Sequence, residues 1–115
     1  MDLKRVVVTG LGTVNPLGNS IPEFWENAIA GVSGAAPITN FDTNAIQTKV
    51  KFGCQVKNFD IAEYMDRKEA RKLDKYSHFA VASAVQAIND SGLDLEKEDL
   101  NLCRCSAGSG YGFRA

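Results

Sequence analysis

The sequence contains few of several residue types, and each shortage excludes a class of protein. Its 115 residues include one tryptophan, one histidine and three cysteines. An odd number of cysteines in a chain with an ordinary apolar fraction, 44%, argues against a disulfide framework and favours a reducing cytosol. No apolar run approaches the roughly 20 residues that a membrane-spanning helix needs, so no membrane segment is predicted.

Positive charge is not in excess either. Lys and Arg number 13 against 14 for Asp and Glu, which gives a formal net charge of -1. A protein that contacts nucleic-acid phosphates over its whole surface is normally basic, so no nucleic-acid partner is expected and any basic site must be local. The length and the near-average composition fit one modest globular domain over residues 1–115.

The first half of the chain predicts two strands around one helix. The β-branched run in residues 4–11 indicates a buried strand that leads into a loop over residues 10–19. A capping box of Ser20 and Glu23 starts a helix that reaches about Ala30, with Gly31 as its stop. Residues 32–48 are interpreted as an ordered loop. The alternation in residues 50–56 predicts a half-buried strand with Cys54 on its apolar side.

The second half predicts one long helix. Asp66 and Glu69 form a second capping box, and the helix is expected to run to about Ser91 with Gly92 as its cap. One side of this helix carries mostly small apolar residues, which implies that something packs closely against it. That side comprises Ala70, Leu73, Tyr76, Ala80, Val81, Ala84, Ala87 and Ile88.

A glycine turn follows the first predicted strand at Gly10-Leu11-Gly12. Strand, glycine turn and helix are the outline of a phosphate-binding loop, so a nucleotide site is one interpretation. Asn15 and Pro16 stand where a dinucleotide fingerprint would continue with its third glycine, and no acidic strand end follows about 20 positions on. The favoured alternative is a tight turn that lets two backbone segments pack closely.

Basic residues recur at helical spacing near the start of the long predicted helix. They cover an arc of about 140°, with Glu69 and Asp74 outside it, and comprise Arg67, Lys68, Arg71, Lys72 and Lys75. Cations at a helix N-terminus oppose the helix dipole, which favours a use such as binding an acidic partner or phosphate. The alternative is an ordinary solvated helix face.

The residues that most often carry catalysis form no recognisable set. Cys54 is interpreted as a small core residue, and the pair Cys103 and Cys105 is too little for a zinc site. The single histidine, His78, is interpreted as a surface or edge residue. No metal and no cofactor are therefore expected.

Several of these segments, in order, resemble bacterial beta-ketoacyl-acyl carrier protein synthases of type II, condensing enzymes of the thiolase superfamily. The similarity extends from residue 4 to about residue 102. The segments that carry it are residues 5–19, 24–34, 41–43, 67–74 and 90–93. The resemblance implies an α/β chain with a thiolase-like layered α/β/α/β/α fold, of which this chain is the first part of the N-terminal half. It also implies a homodimer in the cytoplasm.

The activity implied by the resemblance is fatty-acid chain elongation. In the family, an acyl group moves from acyl carrier protein to a cysteine, and the carbanion from decarboxylated malonyl carrier protein attacks that thioester. A Cys-His-His triad performs this chemistry. None of the cysteines of this chain aligns with the nucleophile, so no catalytic residue is expected here and the chain is predicted to be an inactive N-terminal fragment.

The resemblance assigns two kinds of binding residue. Lys68, Arg71 and Lys72 match positions that dock the acidic acyl carrier protein, and Tyr111 matches a residue that gates the acyl pocket. The chain departs from the family from about residue 103, where Cys105-Ser106-Ala107 replaces a longer hydrophobic strand. We expect a frameshift, a gene-prediction error or a damaged gene copy from about Leu102 onward, which sequencing the codons of Leu102 and the following residues would test.

Two other functions stay open beside a condensing-enzyme fragment. The basic residues would equally serve a non-catalytic module that binds acyl carrier protein. The glycine turn leaves a small nucleotide-binding domain as the less favoured alternative.

Overall fold

The computed structural model describes residues 3–107, so the expectations for Tyr111 and its neighbouring glycines lie outside the described residues. The described residues form two compact units, one of residues 3–12 and 61–107 and the other of residues 13–60. The prediction of a single domain over the whole chain stays a prediction.

The unit of residues 13–60 contains one helix and one small sheet. The helix α1 spans Ile21–Ile29, and the strands β1 and β2 span Ala35–Pro37 and Phe52–Cys54. The other unit contains a 3-10 turn at Ile61–Glu63 and two helices, α2 at Arg67–Ala70 and α3 at Lys75–Ser91.

The helix α1 forms as its capping box predicts. The Ser20 hydroxyl accepts a hydrogen bond from the Glu23 amide at 3.4 Å, and the Glu23 carboxylate accepts from the Asn19 amide at 2.8 Å. Pro22 stands in the first turn, where its missing N–H costs nothing. Gly31 follows the helix at a φ of 70°, in the left-handed region that ends helices.

The sheet differs from the expectation. Ala35–Pro37, interpreted from sequence as loop, pairs antiparallel with Phe52–Cys54, with Ala36 opposite Gly53. The face predicted to be buried is exposed: Phe52 is 67% accessible and Cys54 is also exposed. The placement of Cys54 in the core was therefore wrong. An alternating pattern predicts that the two faces of a strand differ in polarity. Burial of the apolar face also needs a second layer of structure, and among the described residues none covers Phe52 and Cys54.

The predicted N-terminal strand does not form as a strand. Residues 3–14 make no ladder, and Val6 and Val8 are 89% and 80% exposed. A strand needs a hydrogen-bonded neighbour, and the part of the chain that the structure describes places none beside these valines. The β-branched run gives the segment its extended preference, but the predicted burial was wrong.

The glycine turn at the end of that segment packs directly on α3. A Cβ at Gly10 would lie 2.6 Å from the Ser91 nitrogen, and one at Gly12 would lie 2.8 Å from the Ala87 nitrogen. Only glycine permits so close an approach of two backbones. The Leu11 amide adds a hydrogen bond of 2.9 Å to the Asp90 carboxylate. The close-packing interpretation of this turn is confirmed. The close partner expected for the small-residue side of the helix is not, because the turn lies against Ser83, Ala87 and Ser91, of which only Ala87 belongs to that side.

The single long helix predicted over residues 66–91 is instead two helices. Asp66 caps α2 by accepting from the Lys68 amide at 3.1 Å, but α2 ends at Ala70 after one turn. The amides of Lys72 and Leu73 then bond to carbonyls three residues back, and Asp74 adopts an extended backbone that restarts the chain as α3. The prediction missed this break because the apolar spacing continues across it.

The core is small and lies on the α3 side of its unit. Ala82 is completely buried and Ala70 is 4% exposed, whereas Leu73 and Tyr76 stay 40% and 49% exposed. The predicted apolar side of the long helix is therefore only partly covered. Among the described residues, no helix is both long enough and apolar enough to cross a membrane.

Candidate functional site

The most concentrated positive charge in the described chain lies at the α2–α3 break. Five exposed cations stand within residues 66–75, accompanied by the anions Asp66, Glu69 and Asp74. The five cations, called the basic cluster below, are Arg67, Lys68, Arg71, Lys72 and Lys75. The segment therefore carries net positive charge in a chain whose total is -1.

The basic cluster is not the continuous helical stripe that the spacing predicted. Arg67 and Lys68 lie on α2, Arg71 is its C-cap, Lys72 lies in the turn and Lys75 begins α3. The argument from cations opposing the dipole of a long helix consequently fails, because α2 has only four residues. The charge itself, and its exposure, do not depend on that argument.

Glu69 partly neutralises the basic cluster. Its carboxylate lies 2.8 Å from the Lys72 ammonium, and the two side chains are 62% and 68% exposed. The sequence interpretation placed Glu69 outside the arc of cations, but as an i,i+3 neighbour it contacts Lys72. An exposed ion pair of this kind contributes only ~0.5 kcal/mol, so an acidic partner can displace Glu69 at little cost.

His78 supports the turn that carries the basic cluster. Its Nε2 lies 2.7 Å from the Ala70 carbonyl oxygen, and its ring is half-buried. The expectation of an edge histidine is confirmed, but sequence reasoning missed this contact. The one available signal was Asp74, a residue type that favours helix starts and stands four positions before His78.

The unit of residues 13–60 holds a separate polar cavity of about 200 Å³. Three of the polar side chains that line it form hydrogen bonds to nearby backbone groups of the same unit. Asn15 accepts from the Leu17 amide at 2.9 Å, Asn27 donates to the Leu17 carbonyl at 2.7 Å, and Glu23 accepts from the Asn19 amide. This pattern is typical of a loop held in shape rather than of a catalytic group.

The described residues bring together no recognisable catalytic or metal-binding set. Cys54, Cys103 and Cys105 are free and exposed. Within residues 3–107, no three His, Cys, Asp or Glu side chains are arranged to hold a metal ion. The basic cluster and its adjoining exposed apolar residues, Leu73 and Tyr76, form a surface that can bind a partner.

Solved structures of similar architecture are ketosynthases, enzymes of the condensing class. The ishigamide ketosynthase/chain length factor matches with a TM-score of 0.69 and 31% identity, over 78% of this chain and 22% of the other. A type II polyketide synthase acyl-carrier protein in complex with its ketosynthase bound to the hexaketide matches with a TM-score of 0.63 and 27% identity, over 86% and 24%. The predicted fold class is confirmed: the described residues are part of a thiolase-like α/β fold.

Sequence comparisons identify the family. Residues 3–115 match the model of the beta-ketoacyl synthase N-terminal domain, and the chain belongs to this family. It is 41% identical to 3-oxoacyl-[acyl-carrier-protein] synthase 2 of Synechocystis sp. over 97% of this chain and 26% of that protein. The enzymes of the same name from Vibrio cholerae and Coxiella burnetii are 40% and 42% identical, each over 97% of this chain and 27% of the relative. The chain thus spans about a quarter of the length of these relatives.

Proposed function

We propose that this chain is the carrier-protein-docking part of a 3-oxoacyl-acyl carrier protein synthase that extends fatty acids by decarboxylative condensation. The observation that carries the proposal is the exposed basic cluster, in a chain that belongs to the beta-ketoacyl synthase family. Lys68, Arg71 and Lys72 would contact the acidic surface of acyl carrier protein. One structural neighbour is itself a ketosynthase with its acyl-carrier protein bound, which supports this partner.

The proposal includes what this chain does not do. No residue of the 115 is assigned to the Cys-His-His triad, so the chain alone binds acyl carrier protein but does not condense acyl and malonyl thioesters. Tyr111 is proposed to border the acyl pocket. The cytoplasm and a homodimer are proposed as the setting of the whole enzyme.

Electrostatics sets the character of the proposed interaction. The cations of the basic cluster are all exposed, and exposed charges are screened when salt shortens the Debye length from roughly 30 Å at 0.01 M to 10 Å at 0.1 M. The positive cluster would therefore steer the carrier protein and set its orientation more than it would hold it tightly. Binding should weaken steeply as salt is added.

The test is a titration of the full chain with acyl carrier protein at low and high salt. At low salt, the triple variant Lys68→Ala, Arg71→Ala, Lys72→Ala should bind roughly tenfold or more weakly, because three contacts of the cluster are lost together. The matched control removes three exposed lysines from other parts of the chain, as Lys4→Ala, Lys49→Ala, Lys57→Ala. That control lowers the net charge equally and should retain most of the affinity.

Three results would count against the docking proposal. They are no binding of the unaltered chain at either salt concentration, equal weakening by the two triple variants, and affinity that does not change with salt. A non-catalytic carrier-binding module would give the same titration, so condensation by a longer form of the enzyme separates that alternative. Tight binding of a dinucleotide would favour the nucleotide-binding alternative instead.

A further inference from the structure

The Ala70 carbonyl is the point at which the predicted long helix is interrupted. In a continuous helix, this oxygen would accept from the amide of residue 74. Here it accepts from the Leu73 amide at 3.1 Å, which closes a tight turn one residue early. Ala70 is only 4% exposed, so its oxygen has little water available to it and needs protein donors.

His78 supplies a second donor to the same oxygen. The Nε2–O distance of 2.7 Å is short for a hydrogen bond that involves nitrogen. Because a carbonyl oxygen only accepts, Nε2 carries the hydrogen. The His78 imidazole thus donates to a carbonyl oxygen that a backbone amide would satisfy in a continuous helix. This bond stabilises the break between α2 and α3.

This contact joins a well-supported element to a short one. Helix α3 has 17 residues, contains the fully buried Ala82 and is packed against the Gly10–Gly12 turn. Helix α2 has four residues and could not persist as an isolated helix. Both α2 and α3 contact the 3-10 turn at Ile61–Glu63, which links them indirectly. The His78 bond to the Ala70 carbonyl adds a direct link from α3 to the end of α2, where the Arg71–Lys72 turn begins.

The break also decides where two of the cations lie. In an unbroken helix, Lys68, Arg71 and Lys72 would follow one another along a single face. In the structure, Arg71 is a C-cap with φ of -64° and ψ of -18°, and Lys72 lies in the following turn. The arrangement presented to a partner is that of a turn, and a change in the turn would move charges without removing any.

We propose that His78 is a positioning residue: its hydrogen bond to the Ala70 carbonyl fixes the Arg71–Lys72 turn in the arrangement that acyl carrier protein recognises. The proposal rests on the proposed docking function. His78 itself needs no contact with the partner. The hydrogen bond restricts the conformations available to Arg71 and Lys72 before binding. The entropic cost of ordering these two cations on binding is therefore lower.

The test compares two substitutions of similar length at this position, His78→Gln and His78→Met, in the full chain. Glutamine keeps an N–H donor at a comparable reach, whereas methionine keeps the bulk and removes the donor. His78→Gln should bind acyl carrier protein within roughly twofold of the unaltered chain, and His78→Met should bind roughly threefold to tenfold more weakly. Equal affinities of the two variants would overturn the proposal.

A double-mutant cycle separates positioning from general support of the fold. In an Arg71→Ala, Lys72→Ala background, the difference between His78→Gln and His78→Met should disappear, because the cations that the contact positions are gone. A difference that persists there would overturn the proposal. Gln86→Ala is the matched control, since it removes a 3.0 Å hydrogen bond to Tyr64 from the same helix and should leave carrier affinity unchanged.

A readout that needs no partner distinguishes failure of this proposal from failure of the docking function. Amide hydrogen exchange at Lys72 and Leu73 should be faster in His78→Met than in His78→Gln, because these amides close the turn. Equal exchange would overturn the positioning role even if the carrier protein binds. Faster exchange together with no binding by the unaltered chain would overturn docking and leave the His78 contact as a purely structural one.

Discussion

Helices α1 and α3 end on the same local signal but lie in different surroundings. Gly31 and Gly92 follow them with φ values of 70° and 68°. Yet α1 contains no buried residue and exposes Trp25 by 61%, whereas α3 contains the fully buried Ala82. The comparison shows that capping residues locate a helix end regardless of burial. Between its ends, a helix is stabilised by the residues that pack against it, and for α3 these include the glycine turn.

The largest effect is expected from filling the glycine contact on α3 with Gly12→Ala. The new Cβ would lie 2.8 Å from the Ala87 nitrogen, and a backbone atom inside a helix cannot move aside cheaply. We expect a loss of about 3 kcal/mol in the free energy of unfolding, as for other overpacked contacts. Chemical denaturation measures the loss, and faster amide exchange in α3 would locate it.

The matched control for that substitution is Gly53→Ala in the small sheet. A Cβ there would meet its nearest neighbour, Ile38 Cγ1, at 3.6 Å, which is an ordinary contact. This variant should be close to neutral. If Gly12→Ala is equally well tolerated, the close approach of the glycine turn to α3 is not a real constraint, and the contrast between the two helices loses its basis.

A smaller effect is expected at the two helix ends, from Gly31→Ala and Gly92→Ala. No atom within 4 Å obstructs a Cβ at either position, so the cost comes from the left-handed backbone alone. The expected loss is about 1 kcal/mol at each end, less any gain from a stiffer unfolded chain. Amide exchange in the last turn of each helix would report it.

The variants Gly31→Asn and Gly92→Asn serve as controls for the two ends, because asparagine tolerates the left-handed region better than alanine. Each should therefore recover part of the loss. Identical losses for alanine and asparagine would mean that backbone conformation is not what these glycines provide. A larger loss at one end than at the other would show that packing contributes at helix ends as well.

Local signals also explain which parts of the fold the sequence could predict. The start of α1 at Ser20 and the stops at Gly31 and Gly92 depend on neighbouring residues and form as predicted. The predicted Asp66–Glu69 capping box forms only at Asp66, because Glu69 pairs with Lys72. Small apolar residues predicted a close partner on one side of α3. The glycine turn that does approach α3 is far away in sequence, and of the residues it meets only Ala87 belongs to that side.

Apart from the strand Ala35–Pro37, which was interpreted as loop, the wrong predictions concern burial or competition between hydrogen-bond donors. The valines of residues 6–8 and Cys54 have the composition of buried positions, but burial depends on a covering layer that no local pattern specifies. At the break, the amides of Lys72 and Leu73 bond to carbonyls three residues back, and the His78 ring reaches the Ala70 carbonyl from eight residues away. The position of the basic cluster along the chain could be predicted, because the charged residues are visible in the sequence. The arrangement of its cations around the α2–α3 break could not be predicted.

The smallest effect tests the start of α1, through Ser20→Ala. The hydroxyl accepts from the Glu23 amide at 3.4 Å, a long and exposed hydrogen bond, so the loss should be about 0.5 kcal/mol, at the low end for capping residues. Ser20→Asp should retain the cap and add a favourable charge at the N-terminus. Because α1 has no buried residue to compensate, the loss should appear as faster amide exchange in its first turn. If Ser20→Ala and Ser20→Asp exchange alike, the start of α1 is maintained by the Glu23–Asn19 bond instead, and the capping hydroxyl is dispensable even in a helix that packing does not support.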